Sequence, residues 1–270
     1  MDFNLLNTLR EKNLIAFNIS NFVTVQDVAN GINALGSSPI MSQDKGEAEE
    51  MVKISGSVTI NLGAFYDEQL EQTNSVAKFA NQYNKPLVLD PVGVGAGSRR
   101  KKVCNELLDK YRFAVIRGNA GEIATLADAE WNTKGIDSGQ GSGNIVEIAK
   151  KLANKRNCVV CASGKVDVIT DGNQVVKIFN ESNLFKLHVG SGDMLSSTIG
   201  CFVGVTDDYF EAAQIATAVF DVAGEIAASK MPEELAGSFG PKLIDELHLI
   251  TAADVKQYAK YEPQEAIKND

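Results

Sequence analysis

The segment P-L-V-L-D-P-V-G-V-G at residues 86–95 decides the fold of this chain. It opens with an unbroken apolar run that ends at the acid Asp90, and glycines follow. Such a run is typical of a strand buried on both faces, as in a parallel sheet covered by helices. A second run of this kind, residues 113–116, follows a predicted helix at residues 102–110. The segment therefore predicts the strand–helix–strand unit of an α/β protein.

Strand and helix signals alternate in the same way on both sides of this unit. Apolar or alternating runs predict the strands, and a period of 3.6 residues predicts the helices. Strands are predicted at residues 14–19, 57–62, 86–90, 113–116, 158–162, 166–170 and 174–179, the last as an edge strand in a hairpin. Helices are predicted at residues 2–10, 21–38, 46–53, 66–83, 102–110, 120–129, 145–153, 193–203, 209–229 and 242–247.

This order of elements predicts an α/β fold with a mainly parallel central sheet and helices on both faces. The 270 residues show no internal repeat and no linker-like change of composition, so we predict a single domain over residues 1–270. The glycine- and serine-rich stretch at residues 135–143 is predicted to be a loop. The charged tail, from about residue 262, is predicted to fray.

The charge balance disfavours a polyanionic partner. Lys and Arg number 26 and Asp and Glu number 35, which gives a formal net charge of −9. A negative chain repels nucleic acid and anionic lipid, and the basic run at residues 99–102 more simply begins a solvated helix. The first residues lack the apolar stretch of a signal peptide, and no apolar run reaches the roughly 18 residues of a membrane span. We expect a cytoplasmic protein that binds neither nucleic acid nor membrane.

The four cysteines do not indicate a redox or metal site. Cys158 and Cys161 form a C-x-x-C pattern, but it lies within a predicted strand, whereas a redox pair needs a strand-to-helix turn. We interpret these cysteines as small buried apolar side chains. With only two histidines in the chain, a Cys/His zinc site has little support.

Chemistry-bearing residues follow three of the predicted strands, where ligands bind in open α/β sheets. Asp90 could hold magnesium, and the glycines after it let the backbone approach a phosphate, although a plain turn would also explain them. Arg117 could clamp a phosphate with its guanidinium. Glu122 stands in the first turn of the next helix, where a favourable helix-dipole charge is the alternative. Ser163 could donate its hydroxyl to a nucleotide phosphate, or simply belong to a turn.

The fourth segment, Gly190-Ser191-Gly192-Asp193, opens a helix with small residues. Their N–H groups and the helix dipole form an anion hole suited to a phosphoryl group. Asp193 could then take the proton of an attacking alcohol, although a helix cap flanked by glycines is the alternative.

Phosphoryl transfer needs a metal, a charge clamp, an anion hole and a base, and these segments supply one candidate for each. The P-loop pattern and the protein-kinase signatures are both missing from the sequence. We therefore expect an ATP- and Mg²⁺-dependent kinase of a small alcohol.

These segments, in this order and spacing, resemble the hydroxyethylthiazole kinase family within the ribokinase-like superfamily. The S-P-I-M segment at residues 38–41 and the D-P-V-G-V-G-A segment at residues 90–96 are specific, whereas the Gly-Ser-Gly loop is shared across the superfamily. The other matching stretches are residues 21–24, 28–30, 36–37, 61–63 and 116–123, so that the resemblance extends from about residue 21 to residue 203.

The resemblance implies a ribokinase-like fold and phosphorylation of 4-methyl-5-(2-hydroxyethyl)thiazole in thiamine biosynthesis or salvage. It implies a homotrimer with sites between subunits. The implied residue roles are thiazole contact for Met41, pocket lining for Asn21, Val23 and Gly63, ATP binding for Arg117 and Ser163, magnesium and phosphate organisation for Asp90 and Glu122, and substrate and anion-hole contact for Gly190.

The chain departs from the family pattern at two positions. Asp193 stands where many thiazole kinases carry Cys, and Ser163 replaces the usual Thr. An aspartate is ionised at neutral pH without help from its neighbours, so a competent base is still expected. The alternatives are a ribokinase-like kinase of a pyridoxal- or pyrimidine-like alcohol, an ATP-dependent dehydratase of hydrated nicotinamide cofactors, or a ligand sensor without turnover.

Overall fold

A computed structural model describes residues 1–129, 131 and 144–264, and within them one nine-stranded sheet crosses the molecule. Its strand order is β2-β1-β3-β4-β5-β6-β7-β8-β9, and neighbours are parallel from β2 to β6 and antiparallel from β6 to β9. The strands are β1 (Ile15–Ile19), β2 (Ser38–Ile40), β3 (Ser57–Asn61), β4 (Leu87–Asp90), β5 (Val115–Asn119), β6 (Val159–Ser163), β7 (Asp167–Thr170), β8 (Val175–Ile178) and β9 (Tyr261–Gln264).

Helices cover both faces of the sheet. Those on one face are α1 (Leu5–Lys12), α2 (Val25–Leu35), α8 (Leu184–Leu187), α9 (Ser191–Val203), α10 (Tyr209–Ser229), α11 (Ala236–Leu249) and α12 (Ala252–Tyr258). Those on the other are α3 (Ala48–Ile54), α4 (Asp67–Gln82), α5 (Ser98–Lys110), α6 (Ala120–Leu126) and α7 (Ile145–Arg156). Short 3-10 turns span Lys45–Glu47 and Val94–Ala96. No helix of the described part of the chain is long and apolar enough to cross a membrane.

The helices form one hydrophobic core on each face of the sheet, and these two cores explain the unbroken apolar runs. Successive side chains of a strand point to opposite faces, and here Val88 and Val115 join one core while Leu89 and Ile116 join the other. The mainly parallel α/β sheet with helices on both faces, expected from the sequence, is therefore confirmed. Its parallel strands end along one edge, which positions the candidate site.

The sequence-based assignment was wrong at several elements. The segment 174–179 is not an edge strand, because β9 pairs with β8, and Tyr261–Gln264 are therefore not a frayed end. The short elements β2, α8 and α12 were missed because three to seven residues carry little periodic signal. The predicted loop at residues 135–143 and the tail beyond residue 264 lie outside the described residues.

One helix is longer than its local signals indicate. The helix predicted at residues 242–247 is α11 and begins at Ala236, so that it includes Pro241. Proline disfavours a helix interior, but Phe239, Leu243 and Leu247 are fully buried in the core. Tertiary packing of this apolar face therefore outweighs the local cost of the proline.

Candidate active site

The candidate residues meet where the carboxyl ends of the parallel strands face the start of α9. Parallel pairing places Asn61 of β3 beside Asp90 of β4, and Asn119 of β5 beside Ser163 of β6. Helix α9 packs directly on β3 and β4. Residues far apart in the sequence are thus brought to one edge of the sheet.

Asp90 is fully buried at the centre of this edge. Its Oδ2 accepts hydrogen bonds from Ser196 Oγ at 2.7 Å and Asn61 Nδ2 at 3.1 Å. Arg117 Nη1 lies 3.7 Å from the same oxygen. Burial raises the pKa of Asp90 to about 7, against the opposing charge of Arg117. Its Oδ1 has no hydrogen-bond partner, so one acceptor of this carboxyl group is left free.

Glu122 holds two loops together at the start of α6. Its Oε1 accepts from Gly93 N and its Oε2 from Asn119 N, both at 2.8 Å, and Asn119 Oδ1 accepts from Glu122 N in return. Glu122 and Asn119 therefore form a capping box at the start of α6, a structural role beyond the helix-dipole charge expected from the sequence. Both carboxylate oxygens are engaged, but each keeps a second lone pair.

These residues fit a magnesium ion that is shared with a nucleotide. Mg²⁺ in kinases is bound by one or two carboxylates together with substrate phosphates. Among the described residues, no three Asp, Glu, His or Cys side chains form a cluster that could hold a metal without such help. The free Oδ1 of Asp90 suits this mode, whereas Glu122 mainly fixes the Gly93 loop.

Arg117 joins the strand ends to the start of α9. Its Nη2 donates to Ser163 Oγ at 2.5 Å, and only 11% of the side chain is exposed. A Cβ atom on Gly192 would lie 2.5 Å from Arg117 Nη1, so the guanidinium rests against the backbone of Gly192. The predicted phosphate clamp and the predicted anion hole are therefore adjacent.

Helix α9 begins at Ser191, two residues earlier than the sequence predicted, and Gly190 is its N-cap. Gly190 has φ +101°, and a Cβ there would lie 2.8 Å from Thr24 Cγ2, so glycine is required. The N–H and the hydroxyl of Ser191 both donate to His188 O, at 3.3 and 2.9 Å. The first N–H groups of a helix lack partners within it, so those of Gly192 and Asp193 could bind an anion.

Asp193 is held by two donors from the loop between β1 and α2. Its Oδ2 accepts from Asn21 Nδ2 at 2.8 Å and from Thr24 Oγ1 at 2.5 Å. Asn21 Nδ2 also contacts Asn61 Oδ1 at 3.0 Å, and Asn61 donates to Asp90. A continuous polar chain therefore connects the candidate base with the candidate metal carboxylate.

The structure brings only some of the predicted substrate residues close to one another. Gly63 lies against Asn21, because a Cβ there would be 3.0 Å from Asn21 Nδ2. Met41 is half-buried, with its Sδ 3.9 Å from Ser20 Oγ. Val23 is 62% exposed at the rim.

Sequence reasoning assigned no role to Thr24, Asn61 or Ser196, although each bonds a candidate catalytic carboxylate. The strand-end rule would have found Asn61, the last residue of β3. Thr24 and Ser196 carry no comparable local signal.

Comparison with known proteins places this arrangement in a family. The sequence model of the hydroxyethylthiazole kinase family matches residues 6–253. The chain is 54% identical over 262 residues to hydroxyethylthiazole kinase of Levilactobacillus brevis, covering 97% of this chain and 100% of that one. It is 53% identical to the enzyme of that name from Lactiplantibacillus plantarum, with 96% and 99% covered.

Solved structures agree with this assignment. A hydroxyethylthiazole kinase structure from Pyrococcus horikoshii OT3 superposes with a TM-score of 0.89 at 32% identity, covering 97% of this chain and 98% of that one. A ribokinase-like superfamily protein from Enterococcus faecalis V583 has a TM-score of 0.63 at 11% identity, with 90% and 93% covered, and shares the fold alone.

Proposed function

The chain belongs to the hydroxyethylthiazole kinase family, and from that premise we propose that it phosphorylates the hydroxyl of 4-methyl-5-(2-hydroxyethyl)thiazole with ATP. The observation that carries this proposal is Asp193 at the start of α9. Two donors hold its carboxylate beside the Gly190 turn, with Arg117 against Gly192. The product would serve thiamine biosynthesis or salvage.

Asp193 acts as the base of this reaction. Its carboxylate takes the hydroxyl proton of the alcohol as the alcohol oxygen bonds to the γ-phosphorus and the bond to the ADP oxygen breaks. Asn21 and Thr24 orient Oδ2, so the other carboxylate oxygen is the one that receives the proton. The Gly190–Gly192 turn and the start of α9 place positive helix-end charge where negative charge develops.

The nucleotide binds across the ends of β4, β5 and β6. Arg117 and Ser163 contact its phosphates, and the bond between them orients the guanidinium before the nucleotide arrives. Asp90, with Glu122 beside it, would hold Mg²⁺, which would supply positive charge against the phosphates. Asn21, Val23, Met41, Gly63 and Gly190 form the alcohol pocket.

The functional unit in this proposal is a single-domain cytoplasmic enzyme that assembles as a homotrimer with sites between subunits. Free cysteines at positions 104, 158, 161 and 201 suit a reducing compartment. The rim of the site exposes Phe22, Val23 and Val189 by 69%, 62% and 72%, which is apolar surface suited to a neighbouring subunit.

The test is ADP release by the purified chain with Mg-ATP and the thiazole alcohol, beside pyridoxal and a pyrimidine alcohol. ATP without any alcohol measures background hydrolysis. We expect turnover with the thiazole alone. Turnover with a different alcohol would contradict the proposed substrate but support kinase activity. If no alcohol stimulates ADP release, the dehydratase and sensor alternatives remain.

A further inference from the structure

The guanidinium group of Arg100 joins two loops of the candidate site, and the proposed mechanism gives it no role. Arg100 lies in the first turn of α5, within the basic run at residues 99–102 that the sequence assigns to the start of a solvated helix. The run does begin a helix, and the side chains of Arg99 and Lys102 are 64% and 76% exposed. Arg100 differs from them because it is partly buried and donates hydrogen bonds to three backbone carbonyl groups beyond the ends of β3 and β4.

Two of these hydrogen bonds hold the loop after β3. Arg100 Nη1 donates to Leu62 O at 2.6 Å, and Nη2 donates to Gly63 O at 2.8 Å. The N–H of Gly63 donates to Asn61 Oδ1 at 2.9 Å, an oxygen that also accepts from Asn21. The peptide group between Leu62 and Gly63 is therefore fixed at both its carbonyl oxygen and its N–H.

The third hydrogen bond holds the loop after β4. Arg100 Nη1 also donates to Val92 O at 3.0 Å, two residues after Asp90. Gly93, the next residue, has φ +68° and donates its N–H to Glu122 Oε1 at 2.8 Å. The peptide group between Val92 and Gly93 is thus fixed at both ends as well, by Arg100 from α5 and by Glu122 from α6.

The chemistry of arginine suits this connection between the loops. Its planar guanidinium group offers five N–H donors in a fixed arrangement, and hydrogen bonds from a charged donor are stronger than neutral ones. Arg100 Cζ also lies 5.1 Å from the ring centre of Phe65, within the range of a cation–π contact. In the part of the chain that the structure describes, no backbone N–H donates to the oxygens of Leu62, Gly63 or Val92. Arg100 is therefore the donor that ties the two loops together.

We propose that Arg100 is a positioning residue, which fixes the spacing between the alcohol pocket at Gly63 and the loop that follows Asp90 on the nucleotide side. This inference rests on the proposed function, because it takes the alcohol to bind at Gly63 and the nucleotide with Mg²⁺ to bind beside Asp90. Arg100 touches neither ligand. It affects phosphoryl transfer because the alcohol oxygen and the γ-phosphorus must be held close together and in line.

The test uses two variants of Arg100 in the full-length chain. Arg100→Met keeps part of the unbranched apolar stem and removes every donor. Arg100→Lys keeps the positive charge, but its single nitrogen cannot hold Gly63 and Val92 in the way that two guanidinium nitrogens do. The first variant removes the connection between the loops, and the second weakens it.

Two control variants separate this connection from other effects of losing an arginine. Arg99→Met makes the same change at the exposed neighbour, which pairs with Asp67. Arg156→Met removes an arginine whose side chain is only 11% exposed, which pairs with Asp109 and donates to Asn105 Oδ1 at 2.9 Å. Arg156 ends α7 shortly before β6 begins, at the opposite edge of the sheet from the candidate site. Arg156→Met should therefore lower the melting temperature without changing ligand binding.

The first readout is the affinity for each ligand alone, measured by calorimetry at a temperature at which the variants are folded. The ligands are a non-hydrolysable ATP analogue with Mg²⁺ and 4-methyl-5-(2-hydroxyethyl)thiazole. We expect Arg100→Met to bind the analogue roughly fivefold and the thiazole roughly tenfold more weakly, as for loss of about one hydrogen bond at each loop. Arg100→Lys should lose about threefold at each site, and both controls should bind as wild type.

The second readout is kcat/KM for the thiazole. It should fall by roughly 10²-fold in Arg100→Met, with part of the loss in kcat, because the two reacting groups are no longer held at a fixed spacing. Arg156→Met should keep the wild-type value even where its melting temperature falls as far as that of Arg100→Met. This comparison distinguishes positioning from a general loss of stability.

Wild-type affinity for both ligands in folded Arg100→Met, a loss at only one of the two sites, or an equal loss in Arg156→Met would overturn the proposal. If Arg100→Met does not fold, Arg100→Lys decides by the same measurements, and wild-type binding by Arg100→Lys would then overturn it. A wild-type chain that binds the analogue but not the thiazole would instead contradict the proposed substrate. The affinity of the Arg100 variants for the analogue would still decide whether Arg100 positions the loop after Asp90.

Discussion

At the scale of single residues, the site is organised by hydrogen bonds between side chains from separate loops. Asp193 Oδ2 accepts hydrogen bonds from Asn21 and Thr24. Asn21 also contacts Asn61, which donates a hydrogen bond to Asp90. Buried polar groups gain from such bonds because an unmatched partner is costly away from water. This series of hydrogen bonds therefore orients the carboxylates of Asp193 and Asp90 before any ligand binds.

Replacing Asp193 by Asn should isolate its role as a base. The amide keeps an oxygen that can accept from Asn21 and Thr24, so the fold and ATP binding should change little. Turnover should fall by roughly 10²-fold or more, as for a lost general base. Steady-state ADP release and direct ATP binding measure the two effects separately.

Two further variants serve as comparisons for the result obtained with Asp193→Asn. Asp193→Cys should retain partial activity, since a thiol can also accept a proton once it is ionised. Asp207→Asn makes the same chemical change at an exposed position beyond the other end of α9 and should leave turnover unaltered. Unchanged turnover in Asp193→Asn would remove Asp193 from the mechanism.

At the scale of elements, α9 connects the site with the core. Its small residues allow close approach to the sheet: Ser196 reaches Asp90, and a Cβ on Gly200 would lie 2.2 Å from Thr59 Oγ1 of β3. A larger side chain at Gly200 would push the start of α9, with Gly190 and Asp193, away from the strand ends. Close helix–sheet packing and the geometry of the proposed anion hole are therefore linked.

Substitution of Gly200 by Ala should destabilise the protein despite the better helix propensity of alanine. The expected net loss is about 1–2 kcal/mol, because overpacking against Thr59 exceeds the gain in the helix. Gly237→Ala is the matched control, since it lies in α11 and a Cβ there meets nothing within 4 Å. The control should gain up to about 1 kcal/mol. Denaturant unfolding measures both, and equal shifts in the two variants would contradict the packing argument.

At the scale of the whole molecule, apolar side chains rim the site on two loops. Phe22 and Val23 precede α2, and Val189 precedes Gly190. The loops touch, since a Cβ on Gly190 would lie 2.8 Å from Thr24. Exposed apolar surface of this kind marks an interaction site, and a trimer with sites between subunits would cover it.

Val23→Asp should therefore weaken both assembly and activity. A buried, unpaired carboxylate at a subunit contact is costly, so sedimentation should show dissociation at concentrations where wild type is trimeric. Ile54→Asp, at a position 56% exposed at the end of α3, makes the same change near the opposite edge of the sheet and should have no effect. A monomeric wild type with full turnover would contradict the trimer proposal.

Much of the architecture was predictable from the sequence because burial leaves a local trace. Unbroken apolar runs predicted β4 and β5, and the buried Ala-rich face of α10 predicted its bounds, Tyr209–Ser229, correctly. The strand-end rule also selected Asp90, Arg117 and Ser163, which the structure brings together. Local pattern and the general geometry of parallel sheets were sufficient for these predictions.

Contacts between distant segments left no such trace. The pairing of β8 with β9 joins Val175 to Gln264, and neither segment alone shows that the other covers it. The bond from Thr24 to Asp193 spans 169 residues. The sequence by itself determined most of the strands and helices and which strand ends carry candidate site residues, because periodicity records which faces are buried. Only the tertiary structure decided which polar atoms meet, because hydrogen bonds depend on the spatial meeting of segments that the chain separates.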